Sequence, residues 1–466
     1  MRRANSQILT VAQMQAAEQA LVDAGISVDE LMQRAGRGAA EYAWRMAAGG
    51  AVTVLCGPGN NGGDGYVIAE VMRARGLDVV VVAPMEPKTA AARTARALYT
   101  GPIRSDGEHV QGTVLVDCLF GSGLSRGLSG DLLMLLTSLA ECHPLRIAVD
   151  LPSGVESDSG AVLSPVPDYQ LTVALGAWKR AHYLMPAMQH CGALRLVDIG
   201  CDRELGAGRL LGRPELSAPA PDAHKYRRGM LGVVAGEMPG ASLLAAQAAM
   251  RGGAGYVKLL AAGEDVAVPA DLVVSLQPLD EALADPRFAA LLVGPGLGRG
   301  HLGRDRLAAA LRANTPLVLD ADALVLLQCE SLGAHSSPRI ATPHAGELAA
   351  LEAAFSLSGK GSKPDRALAL AQAMGAVVIA KGPDTVIAGP DGALVFAPPV
   401  SSWLSTAGTG DVLAGLAASR LATGTDPLTA ACEAVWLHGE AARRAGPAFT
   451  ASQLAAQARA AYASCL

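Results

Sequence analysis

Aromatic side chains are scarce in this sequence, 4% of 466 residues, and charged ones make up only 17%. With so little aromatic mass, helices have to pack through small side chains, and glycine alone supplies 53 of them. The sparse charge nets to −5, which excludes the basic surface that draws nucleic acid or anionic membrane. No apolar run approaches the roughly 20 residues needed to cross a bilayer. Met1–Asn5 is basic, but no apolar stretch follows it, so a secretory signal is not expected. The eight cysteines include no C-x-x-C pair and no histidine cluster at zinc spacing. Several lie in strand-like runs, as Cys118 does in V-L-V-D-C-L-F, so reduced core thiols and a cytoplasmic location are expected. The Walker A lysine of a P-loop is missing as well, and although G57-P-G-N-N-G62 spells G-x-G-x-x-G, no acidic residue ends the next strand, as an ordinary dinucleotide fingerprint has it.

What is present is a chain too long for one core, half of it apolar. Residues 212–228 carry Pro214, Pro219 and Pro221 without an apolar period and read as a linker between domains at 1–211 and 229–466. Before it, apolar runs at 52–55, 79–83, 114–117, 147–151, 171–175 and 194–199 alternate with helical patterns at 65–75, 88–99 and 131–141. Two more helical stretches precede them. This is the sequence form of βαβ units, hence an α/β protein opening on a Rossmann-like open parallel sheet. After the linker, strand runs at 231–235, 256–260, 272–276, 291–294, 317–320 and 377–380 resume the alternation. A hairpin then turns on Asp391-Gly392, so the second sheet should be mixed.

In open parallel sheets, ligands bind in the loops after the carboxyl ends of strands. Three such loops in the front half carry reactive chemistry. The first, C-G-P-G-N60-N61-G-G-D64-G, offers backbone N–H groups at a helix N-terminus to an anion. Taken alone it is equally a tight turn. The second, V-D117-C-L-F-G121-S-G-L-S-R-G127, and the third, A-V-D150-L-P-S153-G, each end an apolar strand on an aspartate. One such aspartate is commonly a cap. Two of them converging with Asn61 and Ser153 make an oxygen-rich pocket suited to a hard cation.

In the back half, T-A407-G408-T-G410-D411-V-L-A-G opens a helix on glycines. Asp411 falls in its first turn, placed to take a proton from a hydroxyl that attacks a phosphoryl group. Stabilising the helix end is the other reading of Asp411. K381-G-P-D-T385 follows a strand and fits a nucleotide contact. His344, with Glu347 on the next turn, is either a cap or core histidine or a group on substrate or metal-bound water.

The front motifs resemble the NAD(P)HX epimerases, which interconvert the R and S epimers of hydrated NADH and NADPH. The resemblance implies that Asn60, Asn61, Gly62, Gly63 and Asp64, with Gly121, Ser122, Gly123, Leu124, Ser125, Arg126 and Gly127, hold the dinucleotide. It implies potassium on Asn61, Asp117 and Ser153, and Asp150 as an acid–base group beside the nicotinamide ring. The back motifs, with H224-K225-Y-R-R-G229, are similar to the ADP/ATP-dependent NAD(P)HX dehydratases, a ribokinase-like fold. By that likeness Lys381, Gly382, Pro383, Asp384, Thr385 and Gly410 bind the adenine nucleotide. Ala241, Gly298, His344 and Asp411 contact the hydrated dinucleotide. Phosphoryl transfer to the ring hydroxyl with Asp411 as base, then phosphate loss, is the implied route, with ADP or ATP as donor and magnesium present. A homo-oligomer is implied as well.

One departure stands out. The family reads N-P-G-M-A ahead of the Asp411 loop, where this chain has Ser401-Ser402-Trp403-Leu404-Ser405, so Trp403 replaces a glycine expected close to phosphate. At this point a ribokinase-like small-molecule kinase fused to a nucleotide-binding or scaffold domain also remains open. Retention of Asp117, Asp150 and Ser153 speaks against a scaffold.

Overall fold

Val79–Val82 is four valines in a row, and β-branched side chains favour a strand buried on both faces. It lies in the front of two units into which the computed structural model divides between Arg209 and Leu210. The structure describes residues 6–263, 268–332 and 336–466; the basic opening at Met1–Asn5 lies outside them.

The front unit is built on seven parallel strands: β1 (Val52–Cys56), β2 (Val79–Val82), β3 (Ile103–Arg104), β4 (Val114–Cys118), β5 (Leu145–Val149), β6 (Leu171–Leu175) and β7 (Ala193–Val197). Their spatial order is β3-β2-β1-β4-β5-β6-β7. Successive strands are added to one side of β1 and then, from β4 on, to the other, so the loops after β1 and β4 part and leave a crevice at the carboxyl edge. Beside this sheet, Gln7–Leu9 pairs antiparallel with Gly208–Arg209 and parallel with Trp178–Lys179.

The glycine-rich stretch after β1 is not a loop leading to a helix at Gly65. The helix spans Asn60–Ala74, so Asn60 to Asp64 are its first residues. The glycines let it lie against the sheet: a Cβ on Gly62 would fall 1.9 Å from Gly57 O, and one on Gly65 would fall 2.7 Å from Cys56 Sγ.

The back unit's sheet contains β8 (Met230–Val234), β9 (Tyr256–Leu260), β10 (Val273–Ser275), β11 (Phe288–Val293), β12 (Leu317–Leu319), β13 (Arg339–Ala341), β14 (Val377–Ala380), β15 (Val386–Ala388) and β16 (Leu394–Phe396). They lie in the order β10-β9-β8-β11-β12-β13-β14-β15-β16. The strands from β10 to β14 are parallel and β14-β15-β16 antiparallel, the mixed sheet expected from the hairpin. Helix Thr409–Ala422 packs closely on Pro239–Ala249, where a Cβ on Gly415 would fall 2.2 Å from Ala245 O. Between 211 and 229 the chain has no helix or strand, yet Leu211 and Leu216 are buried in the back unit's core.

The eight cysteines are free thiols, with Cys142 and Cys329 exposed and the rest buried. Among the described residues no helix is long and apolar enough to cross a membrane.

Candidate active sites

In the front unit β4 delivers Asp117 and β5 leads into Asp150, both at the carboxyl edge and both buried. Asp117 is satisfied by four donors. Ser153 Oγ and Leu119 N–H bond Oδ1 at 2.8 and 3.0 Å, while Tyr169 Oη and Ser153 N–H bond Oδ2 at 2.5 and 3.1 Å. Burial pushes this carboxyl above the usual aspartate range against the pull of those bonds. Tyr169 was not legible as a partner, since the contact spans 52 residues.

Asn61 differs. Both atoms of its side-chain amide are buried without a hydrogen-bond partner. Such an orphan carries a desolvation penalty, so a ligand or ion that completes it is favoured. It lies near Asp150, because a Cβ on Gly121 would meet Asn61 Cγ at 3.3 Å and Asp150 Oδ2 at 2.9 Å. The loop from Gly121 to Gly127 passes over this point, with Ser125 and Arg126 exposed and Ser122 N–H donating to Asp150 Oδ2 at 3.0 Å. Asn60 is exposed at the helix start while Gly62, Gly63 and Asp64 are buried. Burial, then the charges of Asp150 and Glu18, drive the Asp64 carboxyl well above its ordinary value.

Asp150 itself takes a φ of +67°, unusual for a residue with a side chain, at a cost of about 1–3 kcal/mol. Its Oδ1 lies 2.5 Å from Lys179 Nζ, and Lys179 is only 1% exposed. Burial works to raise the Asp150 pKa, but the Lys179 charge and hydrogen bond outweigh it, and the carboxyl sits below the usual range. Lys179 escaped the sequence reading, as W-K-R in a short strand carries no motif.

In the back unit β12 runs into Asp320, which was also passed over. Its Oδ1 accepts from Thr342 Oγ1 at 2.6 Å and from Lys381 Nζ at 2.7 Å, and the next residue, Ala321, has a φ of +47°. Lys381 Nζ also lies 3.7 Å from Glu347 Oε2 and 3.5 Å from where a Gly410 Cβ would be. Lys381 thus stands at the start of the Thr409–Ala422 helix. Asp411 is in that helix's first turn; burial and the Asp320 charge raise its pKa to about 7 despite Lys381. A carboxylate poised near neutrality is what a general base needs. Behind it, His438 Nε2 lies 2.9 Å from Thr409 O, and burial pushes that imidazole down to about 4.

The Lys381–Thr385 loop is tied from outside. Lys363 Nζ reaches Lys381 O at 3.2 Å, Asp384 O at 3.0 Å and Asp384 Oδ1 at 2.6 Å, and Thr385 Oγ1 donates to Gly382 O at 2.8 Å. His344 takes the capping role: its Nδ1 accepts from the N–H groups of Gly346 and Glu347 at 3.0 and 3.2 Å. Its Nε2 lies 3.3 Å from Glu347 Oε1. Gly298 N–H donates to Asp322 Oδ2 at 3.0 Å, and Ala241 Cβ lies 3.1 Å from where a Gly296 Cβ would be. Glu237 crowds the same loop, 2.3 Å from where a Gly298 Cβ would be, and was not among the expected residues. Trp403 sits half-exposed on the short turn Ser402–Leu404 just before the Asp411 helix. Among the described residues no three His, Cys, Asp or Glu side chains gather as a metal site.

Residues 231–462 match the NAD(P)H-hydrate dehydratase family, and residues 28–181 match the YjeF-related protein N-terminus. A bifunctional NAD(P)H-hydrate repair enzyme of Thermosynechococcus vestitus is 33% identical, aligning 94% of this chain with 93% of its own length. The enzyme of the same name from Escherichia coli is 32% identical over 90% of this chain and 85% of its own. Among solved structures, an ADP/ATP-dependent NAD(P)H-hydrate dehydratase from Bacillus subtilis, co-crystallised with ATP and Mg2+, is similar with a TM-score of 0.48 and 28% identity. The match covers 54% of this chain and 95% of that one.

Proposed function

Because the chain belongs to the bifunctional NAD(P)H-hydrate repair enzymes, we propose that it epimerises R and S hydrates of NADH and NADPH at its front site and dehydrates the S hydrate at its back site. The observation that carries the second activity is Asp411, poised near pH 7 at a helix N-terminus beside Lys381. Asp411 accepts the proton of the ring hydroxyl as that oxygen attacks the terminal phosphoryl group of ADP or ATP. Departure of phosphate, with loss of the proton on the adjacent ring carbon to solvent, then restores the ring double bond. Lys381 and the N–H groups at the start of the Asp411 helix offset phosphate charge, with Gly382, Pro383, Asp384, Thr385 and Gly410 along the nucleotide. Magnesium bound with the nucleotide phosphates would offset their charge, and Glu347, 3.7 Å from Lys381 Nζ, is a carboxylate that could hold it or its waters. Ala241, Gly298, His344 and Asp411 face the hydrated ring and its carrier.

At the front, Asn60 to Asp64 and Gly121 to Gly127 hold the dinucleotide, and Asp150 handles the proton as the hydrated carbon opens and recloses. Potassium on Asn61, Asp117 and Ser153 is supported by the buried Asn61 amide oxygen, a hard donor with no hydrogen bond to give up, whereas Asp117 would have to exchange one of its four donors for the ion. Bound there, potassium supplies positive charge beside the dinucleotide.

Assays of the purified chain on separated R and S hydrates, with ADP and ATP in turn, test the reading. Reduced nicotinamide should form directly from the S hydrate and from the R hydrate only after epimerisation. A stable phosphorylated product would point instead to a kinase.

Two further outcomes are expected. Asp117→Ala leaves Tyr169 Oη without its acceptor and Ser153 Oγ with only Phe120 O at 3.2 Å, costs about 1–3 kcal/mol, and removes the dependence of dinucleotide binding on potassium. Thermal shifts in potassium against sodium read this, and a variant as potassium-responsive as the parent refutes the site. Trp403→Gly should open the approach to the phosphate loop and raise kcat/KM for ADP about tenfold, ~1.4 kcal/mol. Steady-state rates over an ADP series check it; an unchanged value means the ring is clear of the nucleotide.

A further inference from the structure

Asp150 is held at every polar atom it has. Its N–H donates to Val173 O at 2.8 Å and its carbonyl oxygen meets His182 Nε2 at 2.7 Å. Oδ2 accepts from Ser122 N–H at 3.0 Å, and Oδ1 is ion-paired with Lys179 Nζ at 2.5 Å. This fourfold grip holds a residue whose backbone is strained, and strain persists only where its surroundings over-determine it.

Two of the four holds come from one short piece of chain. Lys179 ends the strand Trp178–Lys179, and the 3-10 turn Arg180–Tyr183 follows directly. Lys179 N–H donates to His182 Nδ1 at 2.9 Å, so the ring proton is on Nε2 and points at Asp150 O. Burial, then the Lys179 charge, pushes His182 down to about 4, which keeps that tautomer neutral. Lys179 Nζ has a second anchor in Leu175 O at 2.5 Å. The other charged groups facing Asp150 are acids: Asp64 from the Asn60–Ala74 helix and Glu18 from the Val11–Asp23 helix. A buried ion pair is commonly no more stable than an apolar pair of the same volume, so packing alone gives no reason for a lysine here.

We propose that Lys179 and His182 form a clasp that positions Asp150 for epimerisation, Lys179 fixing the carboxylate and His182 fixing the strained peptide beneath it. Both act through Asp150 as positioning residues, and the assignment rests on Asp150 being the front site's acid–base group. A carboxylate displaced by about 1 Å loses on the order of 100-fold in rate. Lys179→Met in the full chain is therefore expected to lower the epimerase kcat about 100-fold with KM within threefold. His182→Phe, which keeps a ring against Trp178, should lower kcat about tenfold, again with KM nearly unchanged. It decides the matter alone if the lysine variant does not fold.

Asp150→Asn separates the clasp from the reading beneath it. Should that variant keep the parent rate, the role of Asp150 fails and takes the clasp with it. If Asp150→Asn is slow, Lys179→Met added to it should cost little more, since the lysine acts only through the carboxylate. A further loss as large as in the parent overturns the clasp alone. So does a folded Lys179→Met or His182→Phe with kcat within twofold of the parent, or one whose loss is all in KM.

Discussion

Replacing Asp411 by asparagine is expected to slow dehydration by about 10²- to 10⁴-fold, the usual worth of a positioned general base. Epimerisation should continue at the parent rate, because Asp411 belongs to the back unit and the epimerase chemistry to the front. The same carboxylate sets the pH dependence. A base works when deprotonated, so dehydration should level off above about pH 7 and fall about tenfold per unit below it. Stability runs the other way. The folded pKa is raised, so as pH climbs from the ordinary aspartate value towards 7 the unfolded chain's carboxyl ionises while the folded one keeps its proton, and stability falls through that window. Asp411→Asn should therefore be more stable than the parent above pH 7, and the gap should close towards pH 4. Unfolding midpoints at several pH values, beside separate rates for each activity, read both effects. Loss of both activities in a folded variant contradicts two separate sites.

Lys381→Met is expected to injure the back unit twice. Asp320 is almost wholly buried, and its cation lies 2.7 Å away; removing that partner leaves an uncompensated charge at a cost of about 3–5 kcal/mol. Asp411 loses the nearby positive charge that restrains its pKa, so the acid limb of dehydration should move upward from about 7. Denaturant melts and a pH–rate profile give the two numbers. A variant with the parent's acid limb shows that Lys381 does not act on Asp411, whatever it does for stability. Lys381→Arg is no safe control, since a planar guanidinium does not fit where an ammonium meets both Asp320 and Glu347.

Strand-end aspartates were legible because a carboxylate closing a valine-rich run violates the local pattern. Asp117 and Asp150 stood out that way, and the alternation around them fixed the parallel sheet. Asp320 closes L-V-L in the same manner, but it was absorbed into its strand because no glycine loop follows. What the sequence hid was mostly the partner of each visible residue. Lys179 lies 29 residues from Asp150 in the chain, and Tyr169 lies 52 from Asp117, so neither pair leaves a local trace. β13, only Arg339–Ala341, is too short for its alternation to register between two prolines. The Ala451–Ala463 helix is not among the expected elements, although Thr450 and Gln453 form a capping box at its start and buried positions 454, 455, 458 and 461 give it a face. The N-N-G-G-D-G stretch misled in a useful direction. Its glycines suggested a strand-to-helix loop or tight turn that brings backbone N–H groups to an anion, whereas Gly62 and Gly65 are small because a helix presses there on the end of β1 and the residue after it. Asn61 is thereby carried on a rigid first turn.

Gln7–Leu9 pairs side by side with Gly208–Arg209, so the front unit's first and last strands are hydrogen-bonded neighbours. Its entry and exit are a single doorway. Ends that meet in this way can be joined by a short linker and the chain reopened at an exposed loop elsewhere, so a circular permutation of the front half need not pull its first and last strands apart.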